Sequence, residues 1–257
     1  IKDRAKAFCK SITGFGFEDA KQAIATEIAE LKNEYKITSV RTALTEYRKQ
    51  ATKDTKHLYT IADIEQIEIE TAYKKQIAMQ SNDQKQITNF EDMVSTAIEL
   101  LDSERVAVVA VALAFLTGRR LAEIFCTAKF AKTKDLQRVH FVGQLKKRDT
   151  ATGYSIYTLT DFDKIKAALQ YIQGKVGVIT TETANKRYAK ACNQVVYKYF
   201  SKYIGNCSVH DLRKAYATII AHLYKPKNQS LNAFLSENLG HSETDLSTAN
   251  IYQKYYL

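Results

Sequence analysis

Residues 208–224 read SVHDLRKAYATIIAHLY, and their pattern sets the character of the whole C-terminal part of the chain. Apolar residues recur at three- and four-residue spacing, which predicts an amphipathic helix, and Ser208 stands where a side-chain oxygen can cap its start. His210 and Arg213 are three apart near that start, so both point to one face and can reach one phosphate. Taken alone, an HxxR spacing is common in helices.

The same periodicity recurs outward from this stretch. Helices are expected over 161–173, 182–200 and 230–239, the last stopped by Gly240. Upstream, QRVHFVGQL (137–145) and YSIYTLT (154–160) are rich in β-branched and aromatic residues. The turn-prone KKRDTATG between them makes a β-hairpin the simplest reading. Before that come a helix from about Phe90 to Leu101 and a nearly all-apolar one from Ser103 to Leu116, which should be central to a core. It ends at TGRRLAEI (117–124), where Gly118 allows a sharp turn and Arg120 falls at the start of a further helix. In the first third, Ala20, Ile24, Ile28, Leu31 and Tyr35, and then Val40, Leu44 and Tyr47, repeat at helical spacing. A third helix is expected from Asp63 to about Met79. The polar run 81–86 is the candidate linker, which divides the chain into 1–84 and 85–257. The fold class is mainly α with a small β-hairpin or sheet, in keeping with one proline and nine glycines in 257 residues.

Composition narrows the partners. Lys and Arg number 38 against 28 Asp and Glu, a net charge of +10. The positive charge clusters at Lys132, Lys134 and Arg138, at Lys146, Lys147 and Arg148, and along Lys186, Arg187, Lys190, Lys198 and Lys202. Such clusters suit a phosphate backbone, with binding that weakens steeply in salt. In the first third, Arg41, Arg48 and Lys49 lie on one expected helix and are further candidates for DNA contact, although each singly also fits a solvated helix face. Cys9, Cys126, Cys192 and Cys207 are widely spaced and lack metal-ligand spacing, so free thiols in a reducing cytoplasm are expected and a zinc site is not. The longest apolar run, Val106–Leu116, is too short for a bilayer span of about 20 residues, and no signal peptide is visible. The chain opens on Ile1 rather than Met, as a piece of a longer protein would.

Ordered along the last 140 positions are Arg120, Lys146, His210 with Arg213, His241 and Tyr252. Two guanidinium forks can clamp the oxygens of a pentacoordinate phosphorus, and the other four supply a nucleophile and proton carriers. His241 follows Leu239-Gly240 and reads equally as a helix cap; Tyr252 lies in a tail that also holds Tyr255 and Tyr256. TGRR, a hairpin lysine, HxxR, LGH and a late tyrosine in this order resemble the catalytic domain of tyrosine recombinases. SVHDLRKAYATIIAHLY, FVGQLKKR followed by SIYTL, and TGRRLAEI resemble more specifically the protelomerases, or telomere resolvases, over about Val106–Tyr256.

That resemblance implies a tyrosine-recombinase-like catalytic domain preceded by a helical DNA-clamping domain. It also implies roles. Arg120 and Arg213 hold the non-bridging oxygens, and Lys146 protonates the leaving 5′ oxygen. His210 and His241 bond the phosphate or move the nucleophile's proton, and Tyr252 forms a 3′-phosphotyrosyl ester. The expected substrate is double-stranded DNA with an inverted-repeat site, bound by a homodimer without a metal, other cofactor or membrane, in a bacterial or phage-infected cell. Three departures stand beside it. His241 and Tyr252 are eleven residues apart, where about nine is common, which keeps Tyr255 or Tyr256 open as the nucleophile. Some phage telomere resolvases carry lysine at the place of His210. Several relatives extend beyond the tyrosine, whereas this chain has five residues after it. A conventional site-specific recombinase and a non-catalytic DNA-binding protein are the alternatives.

Overall fold

The chain folds as two units, Ile1–Ala78 and Met79–Leu257. The computed structural model describes residues 1–145, 153–240 and 252–257, with backbone alone at 77, 80 and 81. It is mainly helical with small sheets, as expected from the sequence pattern.

In the first unit, α1 (Lys2–Ser11), α2 (Phe17–Glu34) and α3 (Ile37–Gln50) enclose a small core of Ala5, Ile24, Leu31, Val40, Leu44 and Tyr47. Helix α4 (Asp63–Asn82) follows. The Arg4 guanidinium ties α1 to α2 through Glu27, Glu30 and Glu34 at 2.8, 3.1 and 2.7 Å. Helix α1 was not anticipated: its run of charged residues hides the short apolar stripe that ends in Phe8 and Ile12.

The second unit is assembled around α6 (Val106–Thr117), of which every residue from Ala107 onward is buried. A helix that is apolar on all faces needs neighbours on all faces. They are α5 (Phe90–Glu99), α7 (Leu121–Cys126), α8 (Phe162–Val176), α9 (Thr181–Ile204) and α10 (Val209–Tyr224). Gly118 ends α6 in the left-handed region, at φ 64°. A Cβ there would also fall on the Tyr216 ring, so the turn into α7 demands glycine twice over.

The expected hairpin is present as β3 (Arg138–Val142) and β4 (Tyr154–Tyr157), paired antiparallel with Val139 opposite Ile156. A strand the sequence did not announce, β2 (Lys129–Lys132), adds to the free edge of β3 with Phe130 opposite Phe141. Its sequence, KFAK, has one large apolar residue and no alternation to read. Helix α11 (Leu231–Leu239) ends at Gly240, again left-handed at φ 70°.

The polar run expected to be a linker is structured. Helix α4 extends to Asn82, and Lys85–Gln86 form β1, paired in parallel with β5 (Tyr255–Tyr256) at the other end of the unit. That pairing joins residues 170 positions apart through their backbones, which side-chain pattern cannot reveal. The four cysteines are free thiols. No helix among the described residues is long and apolar enough to cross a membrane.

Candidate active site

Helix α7, one face of α9 and the start of α10 enclose a cavity of about 350 Å3 whose wall includes Arg120, Tyr188, His210 and Arg213. Local sequence explains each placement. The turn at Gly118 lets α7 start immediately after α6, and this puts Arg120 at the N-cap of α7. The backbone N–H of Arg120 and its Nη1 donate to Glu123, at 3.0 and 2.7 Å. Ser208 caps α10 as expected, and one turn of that helix then aims His210 and Arg213 into the same space.

Glu123 is fully buried, and burial alone would raise its pKa. The charge of Arg119, the N–H of Arg120, and the charges of Arg213 and Arg120 outweigh that and hold the carboxyl below its ordinary value. The same carboxylate accepts the N–H of Leu145 at 3.4 Å, so it braces the chain just before Lys146 as well as Arg120. Lys146, Lys147, Arg148 and His241 lie outside the described residues.

Arg213 is buried, and its pKa is drawn down first by that burial and then by Arg119. An arginine still carries its proton at any working pH. Its Nη1 donates to the Gly118 carbonyl, its Nη2 to that of Leu239 at 2.9 Å, and its Nε faces the Tyr252 hydroxyl at 3.4 Å. Each terminal nitrogen carries two N–H groups, so the fork has donors beyond these carbonyl bonds with which it could meet a phosphate.

Tyr252 is buried, with the Arg213 guanidinium 5.5 Å from its ring centroid. The His210 ring lies 6.1 Å away, tilted by 52°. His210 keeps a solvent-facing edge, but partial burial, followed by the charges of Lys214, Arg213 and Arg120, lowers its pKa below the ordinary value of about 6.5. The shift favours the neutral ring, the form able to accept a proton. Arg120, His210, Arg213 and Tyr252 are thus brought together from positions up to 132 residues apart. The other tail tyrosines differ: Tyr255 is buried with its hydroxyl unpaired among the described residues, and Tyr256 is exposed.

The neighbouring arginines of TGRR separate into two jobs. Arg119 is 2% exposed and donates to Thr117 O at 3.2 Å, Asn238 O at 2.6 Å and the Tyr154 hydroxyl. It joins the end of α6 to β4 and α11. Arg119→Met should cost about 2–5 kcal/mol of stability, because it strands buried acceptors. Urea denaturation would measure it, and a wild-type midpoint would remove this structural role.

Among the surface candidates, Arg41 is exposed on α3, Arg48 bonds Thr45 at 3.3 Å, and Lys49 pairs with Glu46 at 2.6 Å. Arg138, counted with the basic clusters, is engaged instead by Glu237 and Ser155 and lies over the Tyr157 ring. Asn185, Tyr188 and Asn193 of α9 line the cavity and escaped the sequence reading, which registered that helix for its apolar spacing and its basic residues. No group of three or more His, Cys, Asp or Glu side chains among the described residues is arranged to hold a metal ion.

Residues 84–255 match the family model of the telomere resolvase ResT/TelK catalytic domain. The fold is similar to that of protelomerase TelA covalently complexed with substrate DNA, with a TM-score of 0.90 and 21% identity over 99% of this chain and 87% of that one. It is equally similar to an arginine-to-alanine variant of TelA complexed with DNA hairpin product, at 0.91 and 22% over the same shares. Protelomerase TelK complexed with substrate DNA gives 0.67 and 19%, over 100% of this chain and 59% of that one. No curated protein sequence matches the chain.

Proposed function

Because the chain belongs to the telomere resolvase ResT/TelK catalytic-domain family, we propose that it cuts and rejoins DNA, turning an inverted-repeat telomere junction into two covalently closed hairpin ends. The observation that carries this reading is the approach of the Tyr252 hydroxyl to Arg213 Nε at 3.4 Å, beside His210. A phenol beside a phosphate clamp and a neutral imidazole is what in-line attack on phosphorus needs.

In the proposed reaction the Tyr252 oxygen attacks the scissile phosphorus and gives its proton to His210 or His241. The P–O5′ bond breaks, and the 5′ oxygen takes a proton from Lys146. Arg120 and Arg213 hold the charge that builds on the non-bridging oxygens. The 5′-OH then attacks the phosphotyrosine on the opposite strand and releases Tyr252. One phosphodiester is exchanged for another through an ester of similar energy, so the route draws on neither ATP nor a metal ion.

In this reading residues 85–257 form the catalytic domain and 1–84 a helical clamp, with Arg41, Arg48, Lys49, Lys147 and Arg148 on the phosphate backbone. Two copies act on one site, because an inverted repeat presents two equivalent scissile phosphates related by a two-fold axis. The comparison with TelA, whose structures include both a covalent DNA complex and a hairpin product, supports this assignment.

The test uses inverted-repeat duplexes drawn from the replicon that encodes the chain, incubated with the protein and run on denaturing gels. Strands of doubled length that snap back after melting are expected. A four-way junction between two duplexes would instead identify a conventional recombinase. Binding with neither covalent adduct nor hairpin would leave a DNA-binding protein.

A further inference from the structure

Asp211 stands between the two halves of the site. One of its carboxylate oxygens accepts the N–H and the hydroxyl of Ser208, at 3.0 and 2.9 Å, closing the first turn of α10, which carries His210 and leads into Arg213. The other oxygen accepts from Nζ of Lys254 at 2.6 Å, with Nζ of Lys214 further off at 3.5 Å. Lys254 lies two residues beyond Tyr252. A single carboxylate therefore joins the helix that bears the phosphate clamp to the segment that bears the phenol.

The rest of the tail has its own contacts: Gln253 donates to Asn232 at 2.7 Å, and its carbonyl accepts from Gln84 at 3.1 Å. The pairing of β5 with β1 is only two residues long, with Lys85 N–H to Lys254 O at 3.0 Å and Ile87 N–H to Tyr256 O at 2.8 Å. Two rungs of parallel pairing are weak by themselves. Tyr255 contributes a buried ring, and its carbonyl accepts from Thr218 at 3.4 Å. The Asp211–Lys254 pair is the charged contact in this set, and its side chains are only 14% and 18% exposed, so solvent screens it less than a surface pair. Burial would raise the Asp211 pKa. The hydrogen bonds from Lys254 and Ser208 outweigh that and hold it at about 2, which favours the carboxylate form of Asp211 at neutral pH.

We propose that the Asp211–Lys254 pair is a latch that seats Tyr252 against Arg213 and His210 of its own chain, and so sets the rate of strand cleavage without touching DNA. The inference rests on Tyr252 being the nucleophile. Both residues act through Tyr252 and are positioning residues. A loosened tail lets the phenol sample arrangements out of line with the phosphate, and misplacement of about 1 Å can cost a reaction on the order of 100-fold.

The test is a double-mutant cycle in the whole chain, with Lys254→Met, Asp211→Asn and the pair together, plus Lys254→Arg and Tyr252→Phe. Asp211→Asn retains an acceptor for Ser208, which spares the helix cap. Single-turnover formation of covalent adduct is measured on a duplex site, alongside the Kd for that duplex and the melting temperature. Lys254→Met should slow adduct formation by about 10- to 100-fold with unchanged Kd, and should lower the melting temperature while leaving the protein folded at the assay temperature, because the Asp211 carboxylate loses its cation. The double variant should be no slower than the slower single one, and Lys254→Arg should stay within about threefold of wild type. Wild-type cleavage by Lys254→Met overturns the latch. So does additivity of the two variants, which would mean that they act separately. So does a parallel loss of DNA affinity, which would place Lys254 on DNA. An adduct formed by Tyr252→Phe overturns the nucleophile assignment instead, so the two failures are distinct.

Discussion

Tyr252→Phe is expected to abolish the covalent protein–DNA adduct and the hairpin product together, while leaving DNA binding intact. The variant removes one oxygen and keeps the ring, which fills a buried site under the Arg213 guanidinium and beside His210. Packing is therefore preserved, and the hydroxyl lost is the group placed 3.4 Å from Arg213 Nε. Removing a covalent nucleophile that acts together with its neighbours costs a rate on the order of 10^4-fold or more. The neighbouring tyrosines are poor substitutes. Burial raises the pKa of Tyr255, whose hydroxyl has no hydrogen-bond partner among the described residues, and Tyr256 is exposed in a two-residue strand. Denaturing gels of a phosphorothiolate-trapped duplex would show the result, and an adduct of wild-type yield from Tyr252→Phe would move the chemistry to another residue.

Arg213 should show the second largest effect, and it should appear in two measurements at once. In Arg213→Ala the clamp is lost, which should slow adduct formation by about 10^2- to 10^3-fold, the range for losing an oxyanion donor. The carbonyls of Gly118 and Leu239 also lose their buried donor, at about 1–3 kcal/mol each, so the melting temperature should fall. Arg213→Lys separates the contributions. A lysine keeps the charge but cannot bridge two carbonyls and a phosphate with one ammonium. Its cleavage should therefore stay at least about 10^2-fold slow, at nearly unchanged affinity for the duplex. Cleavage by Arg213→Lys at the wild-type rate would falsify the clamp.

Much of the architecture is legible in the chain because its signals are local. The all-apolar 106–116 run announces a helix buried on every side, and Ser208 and Gly240 punctuate α10 and α11 where the capping rules place them. The hairpin of β3 and β4 is legible for the same reason: both strands are β-branched or aromatic and the chain between them is turn-prone. What escaped notice is structure whose cause lies elsewhere in the chain. KFAK becomes β2 because β3 offers it an edge, and Lys85–Gln86 become β1 because the tail comes to lie beside them.

The same division runs through the site. Residue order, with the family resemblance it carries, singled out Arg120, Lys146, His210, Arg213, His241 and Tyr252, since reactive groups keep their chemical identity and their spacing along the chain whatever the fold. Both adjacent arginines line the cavity, and which of them keeps a partly exposed side chain there and which is consumed in packing depended on the direction of the turn at Gly118. The pairing of Asp211 with Lys254 likewise depended on the tail returning to α10 across 43 residues. The sequence by itself determined the helical class, the order of the longer helices and the hairpin, and the inventory of reactive side chains, because periodicity, capping and side-chain chemistry act within a few residues. Only the tertiary structure decided burial, neighbours and pKa directions, because those depend on long-range packing that brings remote charges and backbone groups within a few ångströms of one another.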